Sequence, residues 1–142
     1  MMRAYSFFLL MSSALAINLA WSQTNMLQVT DAWVRAAPPG AMALAGYMTI
    51  VNTSTEDVKV TAVESPKFAR IEFHRTLVKN DIARMQKLDY FLVPANGELY
   101  LKPNGRHLMM MQPSSPLHPG DTVSLILQLD DGKKLNVDAK LR

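Results

Sequence analysis

The sequence predicts an all-β fold, a sandwich or Greek-key barrel, for the chain from residue 26 onward. Short apolar segments are separated there by turns rich in Pro, Gly and Asn. Within the segments apolar and polar residues alternate, as they do in strands with one buried face. No stretch of useful length shows the 3.6-residue period of a helix. Several short strands punctuated in this way are typical of antiparallel sandwiches and barrels.

Ten segments fit the description of a strand. Turn-forming residues separate them, such as the Pro-Pro-Gly run at 38–40, the polar run 52–55 and the Ser-Pro pair at 65–66. The predicted strands are 28–34, 45–51, 58–63, 71–77, 83–87, 91–93, 98–101, 107–111, 122–129 and 135–141.

Length and charge indicate one domain with no nucleic-acid partner. The chain has 142 residues, and a domain usually takes roughly 100–200. Its net charge is +3; without Arg3, which lies in a predicted leader, 14 basic residues stand against 12 acidic ones, a net charge of +2. Nucleic-acid binders usually concentrate basic residues and aromatics in a stripe, and this sequence has no such stripe.

Residues 1–22 have the pattern of a secretory signal peptide. Arg3 supplies the positive charge, 7–19 the apolar region, and Ala20 and Ser22 the small residues of a cleavage site. A membrane anchor is the alternative, but the apolar stretch contains three polar residues and is shorter than the roughly 20 residues that span a bilayer. We therefore expect cleavage before Gln23, export to the periplasm and a mature β domain of residues 23–142 without a membrane span.

The segment 107–111 carries the first candidate metal ligands. Alternation in a strand places His107, Met109 and Met111 on one face, and Leu108 and Met110 on the other, toward the core. Thioether sulfur is a soft donor and imidazole a borderline one, a combination that favours Cu(I). The alternative is that these methionines only fill the core, as methionine often does.

Two neighbouring segments supply further donors. In the strand 71–77 the apolar residues take one face, which leaves His74 beside Glu72 on the polar face, and Met85 shares its parity with Lys87. The ten-residue gap between His74 and Met85 suits adjoining strands joined by the turn 79–81. We expect His74, Met85, His107 and Met109 to face outward and to be accessible.

The absence of cysteine from all 142 residues excludes several other assignments. A blue-copper electron carrier needs a thiolate ligand, and no disulfide can stabilise this chain. Thioethers, unlike thiols, do not form disulfides in an oxidising compartment. The predicted mature start, Gln23, disfavours an oxygenase with an N-terminal His. No Gly-x-Ser-x-Gly or comparable arrangement of a hydrolase is present.

The spacing His74-x10-Met85-x21-His107-x-Met109 resembles the motif of the periplasmic PCuAC copper chaperone family. The similarity extends over nearly all of the mature chain, through 32–35, 46–52, 101–109 and 116–123. It implies a cupredoxin-like Greek-key β-sandwich or barrel that binds Cu(I) through these four residues. It also implies ligand exchange rather than catalysis, with delivery of copper to the cytochrome c oxidase copper centre or to a thiol-bearing assembly factor.

Two arginines depart from the family pattern. Arg75 directly follows His74, where some members carry Met, and Arg106 precedes His107. Their charges would repel a cation unless they point away or pair with acids such as Glu72. His118 lies in a turn outside the motif and is expected to be an exposed loop residue. Two alternatives stay open: a metal-independent exported module that binds a protein partner, and a protein of copper tolerance or storage.

Overall fold

A computed structural model describes residues 26–142, and every predicted strand is present in them. The largest difference in bounds is at the fourth strand, which begins three residues early. The predicted signal peptide lies outside the described residues. The strands are β1 (Leu27–Val34), β2 (Ala43–Asn52), β3 (Val58–Glu64), β4 (Phe68–Lys79), β5 (Ile82–Leu88), β6 (Phe91–Val93), β7 (Gly97–Leu101), β8 (Arg106–Pro113), β9 (Thr122–Leu129) and β10 (Lys134–Leu141).

The strands form one hydrogen-bonded sheet in the order β5-β4-β8-β7-β2-β1-β10-β9-β3-β6, with a further pairing between β8 and β2. All pairs are antiparallel except β1 with β10 and β7 with β8. Phe73 of β4 packs on Phe91 of β6 with ring centroids 4.7 Å apart, although these strands lie near opposite ends of the order. The sheet therefore folds over itself and encloses a single core. Within residues 26–142 no helix is long and apolar enough to cross a membrane.

The inner face of β8 forms the centre of this core. Leu108 and Met110 are completely or almost completely buried, as alternation predicts. Gly46 of β2 lies against them, and a Cβ added there would come within 2.9 Å of the Met110 sulfur. The inner face is thus tightly packed, which holds the backbone of β8 and fixes the direction of its outer side chains.

The β4–β5 hairpin brings Met85 beside β4. Asn80 and Asp81 form its two-residue turn with φ of 51° and 61°, and positive φ at both positions is the signature of a type I′ turn. Asn and Asp tolerate this region better than most residues. The turn sets a register in which Met85 lies opposite Thr76, two residues after His74.

Candidate metal centre

The pairing of β4 with β8 places the two predicted histidine ligands side by side. His74 lies directly opposite His107, and Glu72 opposite Met109. The two imidazole centroids are 5.8 Å apart, with ring planes inclined by 61°. His74 and His107, which are 33 positions apart in sequence, are therefore neighbours on the outer face of the sheet.

Each imidazole has one nitrogen held by a hydrogen bond and one that has no partner within the described part of the chain. Nε2 of His74 lies 2.9 Å from Oε2 of Glu72, and Nδ1 of His107 lies 3.2 Å from the carbonyl oxygen of Gly105. A carbonyl and an ionised carboxylate only accept hydrogen bonds, so these nitrogens carry the ring protons. The lone pairs are then on Nδ1 of His74 and Nε2 of His107. Among the described residues these are the buried side-chain nitrogen and oxygen atoms that lack a hydrogen-bond partner.

Glu72 is the centre of a charged network beside the histidines. Its Oε1 lies 3.1 Å from Nζ of Lys87 and 3.1 Å from Nε of Arg70. Hydrogen bonds from His74 and then Lys87 lower the pKa of the Glu72 carboxyl, which keeps it ionised. A carboxylate that accepts the proton-bearing nitrogen of a histidine fixes the ring and raises the basicity of its other nitrogen, the arrangement found behind many metal-binding histidines.

The prediction that His107 is accessible is wrong. It is on the outer face as alternation requires, yet only 3% of it is exposed. The rings of Tyr47 and His74 flank it, with centroids 6.4 Å and 5.8 Å away. Burial lowers the pKa of His107, an effect that the nearby His74 reinforces and the hydrogen bond to Gly105 opposes. The imidazole is therefore neutral near pH 7 and has its lone pair free for a metal.

The two predicted thioether ligands lie on either side of His74. Met109 is its diagonal neighbour across β8 and Met85 its diagonal neighbour across β5. Diagonal neighbours in antiparallel strands are about 7–8 Å apart, within reach of long side chains. Met85 is 61% exposed, as predicted, whereas Met109 is half-buried. Met111 is farther along the face, where its sulfur accepts a hydrogen bond from Arg70 at 3.0 Å.

Arg75 and Arg106 do not face the candidate ligands. Each is adjacent in sequence to a histidine, so alternation sends it to the opposite face of the sheet. Arg75 donates a hydrogen bond from Nε to Oε1 of Gln86 at 2.7 Å. The acid Glu72 is paired instead with Arg70 and Lys87. The two guanidinium groups therefore repel a cation at the candidate ligands less than their positions in the sequence suggested.

His118, the third histidine of the chain, lies outside the four-residue motif. His118 lies in the connection between β8 and β9 with its side chain 77% exposed, as expected of a loop residue. Across residues 26–142 no three side chains of His, Cys, Asp and Glu gather as a metal site. The candidate centre thus combines nitrogen from two histidines with sulfur from methionine.

Sequence reasoning named four candidate donors but assigned no role to the groups that hold the two histidine rings. The sequence could have indicated the contact of Glu72 with His74, because the two residues share a strand face at a spacing of two. It could also have indicated the contact of the Gly105 carbonyl with His107, which follows two residues later. No sequence pattern could have indicated Tyr47, because it belongs to β2, and only the pairing of β2 with β8 brings it beside His107.

Comparisons with known proteins find bacterial relatives of this chain. The family model described as "Putative lipoprotein LpqE-like" matches residues 27–141. "Putative lipoprotein Lxx21020" of Leifsonia xyli subsp. xyli is 34% identical over 111 residues, and the matched part covers 78% of this chain and 66% of that protein. The match therefore spans slightly less than two thirds of that relative.

Solved structures share the fold. The copper-bound PCuAC domain from PmoF2 is 20% identical, with a TM-score of 0.71 over 82% of this chain and 92% of that domain. The solution structure of CuI-DR1885 from Deinococcus radiodurans is 32% identical, with a TM-score of 0.66 over 85% of this chain and 83% of that one. The predicted all-β, cupredoxin-like fold and the resemblance to PCuAC domains are confirmed. Because the family model matches nearly all of the described residues, this chain belongs to the LpqE-like family.

Proposed function

We propose that this chain is an exported copper carrier that binds one Cu(I) ion through His74, Met85, His107 and Met109. The observation that carries the proposal is the pair of buried, partnerless imidazole nitrogens on facing positions of β4 and β8. A buried polar atom without a partner is costly, and a bound metal would satisfy both lone pairs at once. The relative DR1885, which is 32% identical, is described in its Cu(I) form, and this supports the same assignment here.

The chemistry of the donors favours Cu(I) over other metals. All four are neutral, so the site adds no charge to cancel that of a divalent ion, and thioethers favour the soft monovalent state. Oxidation to Cu(II) would leave two imidazoles as the effective ligands, too few for tight retention. The role is binding and release of copper as cargo, and no step of catalysis is part of the proposal.

A Cu(I) titration under anaerobic conditions with a competing chelator tests the site. We expect one equivalent to bind, and Met85→Leu and Met109→Leu to weaken binding by at least about tenfold, since even residues that only support metal ligands change affinity roughly 10- to 100-fold. Volume-conserving apolar replacements usually cost under about 1.5 kcal/mol, so circular dichroism should show intact folds.

His118→Ala is the control for the titration, because this histidine is exposed and lies in the connection between β8 and β9, outside the motif. Its Cu(I) affinity should equal that of the unmodified protein. Loss of binding in His118→Ala together with normal binding in Met85→Leu would show that the ligands are elsewhere. No tight Cu(I) binding by the unmodified protein would favour the metal-independent alternative.

We further propose that copper is delivered to a protein with thiolate ligands, either the soluble copper domain of a cytochrome c oxidase or a thiol-bearing assembly factor. The chemistry of the donors supports this direction, since thiolates bind Cu(I) more strongly than thioethers. Met85, on the β4–β5 hairpin, is the most exposed of the candidate ligands. The tip of the same hairpin exposes Leu77, Val78 and Ile82, so the acceptor would approach from the β5 side.

Mixing copper-loaded protein with each apo acceptor tests delivery, with copper followed by mass and by visible absorption. We expect transfer to at least one acceptor, and lower oxidase activity in a deletion strain when copper is scarce. Absence of transfer to both, with normal oxidase activity, would favour copper tolerance or storage.

We also propose that the protein is exported to the periplasm and cleaved before Gln23. The signal-peptide pattern of residues 1–22 supports this, as does the lipoprotein description of the family. Intact-mass measurement of the protein from the native envelope fraction should give a chain that begins at or near Gln23. Recovery of all 142 residues would contradict cleavage.

A further inference from the structure

Arg75 and Arg106 are each adjacent in sequence to a candidate histidine ligand but take no part in the candidate copper site. They lie directly opposite each other in the pairing of β4 with β8, on the face away from His74 and His107. A backbone hydrogen bond from Thr76 to Gly105, at 3.1 Å, holds the two strands together at this point. Like charges directly opposite on neighbouring strands destabilise a sheet.

Among residues 26–142 neither guanidinium has an acidic partner to offset this repulsion. The salt bridges within residues 26–142 include Arg70, Arg142 and Lys87 but neither Arg75 nor Arg106. The hydrogen bond from Nε of Arg75 to Gln86 engages one edge of the guanidinium and leaves the terminal Nη groups available.

Both arginines line one surface cavity at the rim of the core. Its volume is about 400 Å³, and its other walls come from the end of β5, the 89–90 connection and the start of β6. Tyr90, which is 43% exposed, is one of the residues that line it. Asp89 also lines the cavity but forms no salt bridge with either arginine among the described residues.

We propose that Arg75 and Arg106 form a binding site for an oxyanion, the phosphate or carboxylate group of a small molecule. A guanidinium matches the paired oxygens of such groups with two parallel hydrogen bonds. An anion between the two arginines would replace their mutual repulsion with attraction to both. The site depends on neither copper nor the four candidate copper ligands, so its test is independent of the proposed function.

The test uses copper-free protein expressed from the full-length chain, with inorganic phosphate and succinate as probes. Each is added at constant ionic strength, with chloride replaced as the probe is added. Nitrogen-detected NMR should show saturable shifts of the Arg75 and Arg106 side chains with a dissociation constant of about 1 mM, a modest affinity that corresponds to a small ligand at an open site. Arg35 and Arg142, which lie over the rings of Tyr47 and Trp33, should not shift.

Arg106→Gln removes one charge from the pair, and Arg84→Gln is the matched control, an arginine on β5 that does not line the cavity. Arg106→Gln should weaken binding at least about tenfold and abolish the rise in Tm that a ligand gives the unmodified protein, whereas Arg84→Gln should preserve both. Saturation by phosphate alone or by succinate alone would identify which oxyanion the site accepts. Shifts that do not saturate with either probe, or equal loss in both variants, would overturn the proposal.

Discussion

Replacement of His107 by phenylalanine is expected to lower the Cu(I) affinity by at least about 100-fold, the upper end of what the loss of a supporting residue alone costs. The change removes the Nε2 lone pair, one of the two buried and partnerless nitrogens at the candidate centre. His74 would then be the remaining nitrogen donor, with the flanking thioethers. Competition with a Cu(I) chelator measures the affinity, and circular dichroism confirms that the variant folds.

Two further variants make this result specific. His118→Phe is the matched control, the same replacement at an exposed histidine, and it should leave the affinity unchanged. Glu72→Gln keeps a hydrogen-bonding group beside His74 but removes its charge, so we expect an intermediate loss of roughly 10- to 100-fold. Equal affinity of His107→Phe and the unmodified protein would rule out His107 as a ligand and, with it, the proposed pairing of β4 and β8 donors.

Asn52→Ala is expected to lower the free energy of unfolding by about 2–4 kcal/mol, and Tm by on the order of 10 °C. Asn52 is 1% exposed at the end of β2. Its Nδ2 donates to the carbonyl oxygens of Glu56 and Val93 at 2.8 Å and 3.1 Å, and its Oδ1 accepts from Ser54. Truncation would leave a carbonyl in the interior without its donor and would also create a cavity. Thermal and denaturant unfolding measure the loss.

Asn136→Ala is the control for this experiment, because Asn136 is an exposed asparagine in β10. Its effect should stay within about 0.5 kcal/mol, as is usual for surface substitutions. Asn52 is outside the candidate centre, so Asn52→Ala should bind Cu(I) normally at a temperature where it is folded. A stability unchanged from that of the unmodified protein would show that water replaces the Asn52 hydrogen bonds without cost.

The two results would separate what maintains the fold from what binds the metal. Asn52 ties the β2–β3 connection to the end of β6, whereas His107 lies on the outer face of β8, opposite His74. A carrier needs this separation, because its ligands must be able to exchange while the sheet stays intact.

The sequence by itself determined the strands, their faces and the identity of the candidate ligands. These properties depend on neighbouring residues: alternation assigns Leu108 and Met110 to the core, and Asn80 and Asp81 favour the turn that places Met85 beside β4. Only the tertiary structure decided how strands distant in sequence meet. The pairing of β4 with β8 sets His74 against His107 and Arg75 against Arg106. The pairing of β2 with β8 brings Tyr47 over His107 and buries it, because the accessibility of an outward side chain depends on which strands lie beside it and not on its own alternation.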